Sequence, residues 1–137
     1  MQKYRPKKVL VIGCFDPFHI GHLLHFQAAR EYGDVLVVAV TKNNFVNKGK
    51  NRPMFDEKDR AAVIRALACV DDVILVESSI EALCDIRPNV FCIGKEYENK
   101  VKAEDSIYCR KNGISIVFTN ERTYSSTKII NDLLQHS

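Results

Sequence analysis

The 137-residue chain is 46% hydrophobic and carries a formal charge of +3. A chain of that size can bury roughly two-thirds of its unfolded surface as a single domain, 1–137, without disulfides or metals as staples. No apolar run approaches transmembrane length and the start lacks a signal peptide's apolar core, so a soluble, unsecreted protein with no membrane partner is expected. The five cysteines, Cys14, Cys69, Cys84, Cys92 and Cys109, are odd in number and never fall at metal-ligand spacing, which suits a reducing cytoplasm. Cys69, Cys84 and Cys92 stand in apolar company and read as small core residues.

In chain order, the basic run at residues 3–8 reads as a solvated leader rather than a nucleic-acid arm, and no nucleic-acid partner is expected. Strands are predicted at 8–12, 35–40, 73–76, 90–93 and 114–118, all rich in valine and isoleucine, as strands covered on both faces tend to be. Helical patterns fill the intervals at 20–32, 56–69, 80–86 and 101–112, and a last one runs over 126–135. Gly33, Pro88 and Gly113 supply stop signals after the first, third and fourth helices.

Strict alternation of strand and helix with short connections predicts an α/β fold, a Rossmann-like doubly wound sheet of five parallel strands in the order 3-2-1-4-5. In that order the switch point lies between the first and fourth strands. The loops after Ile12 and Ile93 should therefore flank a ligand crevice at the carboxyl edge of the sheet.

The loop after Ile12 reads GCFDPFHIGH, residues 13–22. Gly13 and Gly21 permit close backbone approach. His19 and His22, three apart at a helix start, can point the same way and donate hydrogen bonds beside unpaired backbone amides, a setting suited to phosphate oxygens. The plainer reading is that one histidine caps the helix while the other fills the core.

The His-x-Gly-His motif with Phe15 and Asp16 ahead of it resembles the cytidylyltransferase-like nucleotidyltransferase family. The resemblance implies that His19 and His22 contact the phosphates of a nucleoside triphosphate and stabilise charge as the α-phosphate is attacked. It places Gly13, Cys14, Phe15, Asp16 and Gly21 around the nucleotide, with Cys14 standing where relatives often have threonine. The segment Lys48-Gly49-Lys50-Asn51-Arg52-Pro53 with Arg60 is similar to the basic loop and helix after the second strand of sugar-phosphate members. Lys48 would then reach the phosphates, and Arg52 and Arg60 the acceptor.

Two further segments extend the likeness. Tyr124-Ser125-Ser126-Thr127-Lys128 resembles the family's hydroxyl-rich turn opening a helix, where Ser125, Ser126 and Thr127 would hold the β- and γ-phosphates, as capping hydroxyls and free amides can. Arg122 resembles an arginine that handles phosphate in glycerol-phosphate relatives. Gly94-Lys95-Glu96-Tyr97 is similar to the loop bordering nucleotide and acceptor, with Gly94 and Lys95 toward the nucleotide and Glu96 and Tyr97 toward the acceptor.

The resemblance is nearest to sugar-phosphate adenylyltransferases of the ADP-heptose synthase type and to glycerol-3-phosphate cytidylyltransferase. It implies a nucleoside triphosphate, ATP before CTP, a small phosphorylated sugar or polyol as acceptor, magnesium held mainly through the substrate phosphates, and a homodimer. Other classes can be set beside it. His19-Ile20-Gly21-His22 is also the HIGH string of class I aminoacyl-tRNA synthetases, but the lysine-rich second signature of that class is missing. A regulatory nucleotide-binding module would share the fold and lack the complement of charge-neutralising residues.

Overall fold

The computed structural model describes residues 5–120. Strands β1 (Lys8–Gly13), β2 (Val35–Thr41), β3 (Asp72–Val76), β4 (Val90–Gly94) and β5 (Ser115–Thr119) form one parallel sheet in the order β3-β2-β1-β4-β5. This is the predicted order, and it puts β1 beside β4 at the switch point.

The strands are apolar on both faces because both faces are covered. Val9, Val11, Leu36, Val38 and Val40 point into one cluster with Phe26 and Ala29 of α1 (Ile20–Arg30) and Ala61 and Ile64 of α2 (Glu57–Arg65). Their alternates, Leu10, Val37 and Ala39, point into a second cluster with Ala82 and Leu83 of α3 (Ser79–Ile86) and Cys109 of α4 (Ala103–Lys111). The period-two alternation of a strand thus feeds two helix layers at once.

Local chemistry sets the element ends. Asp56 caps α2 by accepting from the Lys58 amide, and Ser78 caps α3 by accepting from the Glu81 amide. Arg87, in the left-handed conformation just before Pro88, ends α3, and Gly113 adopts φ +67° after α4. Helix α2 is shorter than its apolar pattern predicts. It stops at Arg65, and residues 66–70 continue as tight turns closed by Leu67 N to Ile64 O and Val70 N to Leu67 O.

Among the cysteines, Cys92 and Cys109 are buried, and burial pushes their thiols up to about 12 and about 11, the Asp105 carboxylate adding to the latter. Cys84 is exposed on α3 and is not a core residue. The apolar neighbours that suggested burial, Leu83 and Ile86, lie toward the sheet while Cys84 faces outward. No helix among the described residues is long and apolar enough to cross a membrane. The proposed fifth helix, 126–135, lies outside the described residues.

Candidate active site

A cavity of about 410 Å³ opens at the carboxyl edge of the sheet, between the loops that follow β1 and β4. Its position is that expected for a ligand in an open α/β sheet.

One wall is the turn from β1 into α1. Phe15 takes a left-handed conformation, φ 53°, and its ring is nearly sealed from solvent. That ring stands edge-on to His22 at 5.0 Å and to Phe26 at 5.1 Å. A β-carbon on Gly13 would lie 2.7 Å from the tip of the Phe15 ring. Gly13 is therefore required by the packing of its own loop, beyond any close approach of a ligand.

The two histidines open α1 as a reciprocal cap. His19 Nδ1 accepts from the Gly21 amide at 3.1 Å, and His22 Nδ1 accepts from the His19 amide at 3.2 Å. The geometry is a capping box built from imidazoles in place of the usual hydroxyl and carboxylate. Their rings stack at a centroid distance of 3.8 Å. Because each Nδ1 is an acceptor, each ring is held neutral with its proton on Nε2. Burial lowers the pKa of both. His22 is pushed down to about 3 by burial first and then by His19, His25 and Lys48. Neutral N–H donors at a helix amino terminus can serve an anion without being charged themselves. His22 and Gly21 line the cavity, and His19 stacks on His22 beside it.

The structure gives both histidines the capping role that the plainer sequence reading allowed to one. Capping uses Nδ1, which makes Nε2 the protonated nitrogen of each ring.

Behind the wall lies an ionic latch. Asp16 is 1% exposed, and its carboxylate accepts from Arg52 Nε at 2.9 Å, the Met54 amide at 2.7 Å and the Phe55 amide at 2.9 Å. Burial raises its pKa, but the two amides and the Arg52 guanidinium outweigh burial and hold the carboxyl below its usual value. Arg60 is 3% exposed and donates to the Cys14 carbonyl at 2.8 Å, the Phe55 carbonyl at 2.9 Å and Asn43 Oδ1 at 2.8 Å.

This corrects the expectation for both arginines. Arg52 and Arg60 do not line the cavity, and their guanidinium donors are spent on the loops that frame it. Asp16 borders the cavity, yet both its oxygens are occupied by the latch.

The latch ties down the far end of the basic loop after β2. Lys48 on that loop lines the cavity. Across from it, Gly94, Lys95, Glu96 and Tyr97 line the opposite side, where the end of β4 runs into a tight helical turn, Lys95–Lys100. Cys14 lines the cavity as a free thiol. Arg122, Ser125, Ser126 and Thr127 lie outside the described residues.

Residues that sequence reasoning missed also border the cavity. His25, one helical turn beyond His22, shares a 2.7 Å hydrogen bond with the Thr119 hydroxyl at the end of β5, and burial pushes its pKa down to about 4. The i, i+3 repeat of His19, His22 and His25 is the signal that could have found it. Ser79 and Asp105, from α3 and α4, left no local signal at all.

Among the described residues no group of three or more His, Cys, Asp or Glu side chains is placed to hold a metal ion. The Asp16 carboxylate is engaged by the latch.

Comparison with known proteins agrees with this architecture. "Bifunctional protein HldE" of Helicobacter pylori (strain HPAG1) is 36% identical over 73% of this chain, and the protein of the same name from Geobacter metallireducens is 33% identical over 98% of it. The chain spans 22% and 28% of the length of those relatives. The crystal structure of the lipopolysaccharide core biosynthesis protein from Thermoplasma volcanium GSS1 superposes with a TM-score of 0.72 at 28% identity, covering 88% of this chain and all of that one (100%). Thermotoga maritima TmcAL, at 15% identity and a TM-score of 0.68 over 95% of this chain and 50% of that one, shares the fold. The cytidylyltransferase-like family matches residues 10–132, nearly the whole of the sheet and its helices, and the chain belongs to this nucleotidyltransferase family.

Proposed function

We propose that this protein transfers a nucleoside monophosphate from a nucleoside triphosphate, ATP for preference, to the phosphate of a small sugar or polyol. The observation that carries the proposal is the imidazole capping box, which fixes an Nε2–H donor on each of His19 and His22 at the head of α1. The likeness to HldE proteins and to a lipopolysaccharide core biosynthesis protein supports a sugar phosphate as acceptor.

In this reaction an acceptor phosphate oxygen forms a bond to the α-phosphorus while the α–β bridging P–O bond breaks and pyrophosphate leaves with the electron pair. The attacking phosphate is already ionised at neutral pH, so no general base is needed. The chain's contribution is position and charge. His22 and His19 donate to the reacting phosphates, and Lys48 offsets their growing charge from the basic loop. Magnesium, entering with the triphosphate, would neutralise phosphate oxygens. Ser126 and Thr127 belong to the same proposal as holders of the β- and γ-phosphates.

The test is pyrophosphate release with each of four nucleoside triphosphates against a panel of sugar and polyol phosphates. ATP with a sugar 1-phosphate is the pairing expected to react. Reaction only with CTP and glycerol 3-phosphate would move the donor and acceptor within the same chemistry, and no release with any pairing would favour a regulatory nucleotide-binding module.

A further inference from the structure

The cavity reaches past the histidines to the other face of the sheet, where α3 and α4 begin. Asp105, in the first turn of α4, is 3% exposed and borders the cavity there. An acidic residue at that helical position commonly turns back to cap its own helix. Asp105 does not, because the first turn of α4 has no side-chain cap. Its Oδ2 instead accepts from the Ser79 hydroxyl at 2.6 Å, across from the start of α3.

Its other oxygen, Oδ1, is buried and has no hydrogen-bond partner among the described residues. Native proteins rarely leave a buried carboxylate oxygen unmet, since the lost solvation is not returned. Nearby positively charged side chains do not meet it. Lys95, Lys100 and Lys102 border the cavity, but none forms an ion pair with Asp105. The cavity floor beside it is apolar, from Phe91 and Ile93. An acceptor-only oxygen beside an apolar floor suits a neutral, hydroxyl-bearing ring, which presents C–H surface and O–H donors together.

We propose that Asp105 binds a sugar hydroxyl, with Oδ2 braced by Ser79 and Oδ1 accepting the hydroxyl's hydrogen bond. The inference rests on the nucleotidyl-transfer reading and names the group recognised at the α3–α4 end of the site. Two sugars occur in that reaction, the acceptor and the ribose of the nucleotide, and the test separates them.

Calorimetric titrations of the wild type, Asp105→Ala and Ser79→Ala would use ATP, its 2′-deoxy and 3′-deoxy analogues, mannose 1-phosphate, glycerol 3-phosphate, and inorganic phosphate as the hydroxyl-free control. If the hydroxyl belongs to the acceptor, Asp105→Ala weakens a sugar or polyol phosphate about ten- to a hundredfold while ATP and inorganic phosphate bind as before. If it belongs to ribose, the same loss falls on ATP, and the variant ceases to distinguish ATP from one deoxy analogue. Ser79→Ala, which keeps the carboxylate but frees its brace, weakens the same ligand by a smaller factor and carries the test should Asp105→Ala fail to fold. Variants that bind every probe within about twofold of the wild type, whatever their melting temperatures, overturn the proposal. A wild type that binds mannose 1-phosphate but no triphosphate removes the nucleotidyl-transfer reading while leaving the Asp105 comparison intact, and one that binds none of the probes removes both.

Discussion

Arg52 Nε lies 2.9 Å from Asp16 Oδ2, and the two side chains are 6% and 0% exposed. These residues are far apart in the chain, one in the histidine loop and the other at the end of the basic loop, so a buried ion pair sets the spacing between the neutral histidine donors and the loop that carries Lys48. Breaking such a pair by removing one partner strands a charge and costs about 3–5 kcal/mol. Arg52→Ala should therefore lower the melting temperature markedly. It should also reduce turnover, because Lys48 loses its anchor. An unchanged melting temperature would show that the latch is dispensable.

The same pair gives the protein an acid limb. The Asp16 carboxyl is held below its usual value in the folded state, so its contribution is complete above the unfolded value near 3.8 and fades as the pH falls through the lower folded one. In Asp16→Asn this limb should disappear from a plot of denaturant midpoint against pH below about 4.

The histidines give a limb at higher pH. Their folded pKa values are lowered, to about 3 for His22 and about 4 for His25, against 6.5 unfolded. The unfolded chain thus binds more protons below 6.5, and stability is full above that value and declines as the pH falls toward 3. NMR titration should find these rings neutral throughout the neutral range, and turnover should show no inflection near 6.5 from His22. A His22 titrating at its unperturbed value would contradict the capping geometry.

Capping and donation can be separated by substitution. Asparagine is among the best helix caps but has no Nε2 donor. His19→Asn should keep α1 intact, with a stability change of about 1 kcal/mol or less, while turnover falls about a hundred- to a thousandfold. Circular dichroism melts beside pyrophosphate release would test both halves.

Gly13→Ala carries a steric prediction. The new methyl would sit 2.7 Å from the Phe15 ring, which packs on His22 and Phe26. Displacing that ring should cost about 1–3 kcal/mol, as overpacked cores do. Gly13→Ala combined with Phe15→Leu should recover part of the loss.

The sheet was legible in the sequence because valine and isoleucine runs mark doubly covered strands and right-handed crossovers leave few orders for them. The crevice followed from that order. Residue roles were harder to read wherever they depend on a partner distant in the chain. Arg52 and Arg60 have the charge expected of acceptor contacts, yet oxygens on Asp16, Cys14, Phe55 and Asn43 take up their donors. Ser79 and Asp105 come together only after α3 and α4 pack side by side, and nothing along the chain links them.

The imidazole capping box also bears on how such a protein can change over time. The first turn of α1 is closed by the very rings that would meet the phosphates, so the hydrogen bonds that close the turn also fix the direction of the donors. A descendant that abandoned the reaction could exchange a ring for another capping side chain at little cost to the helix. A helix kept while an amide or hydroxyl cap replaces one of its imidazoles would then be the mark of a lapsed enzyme.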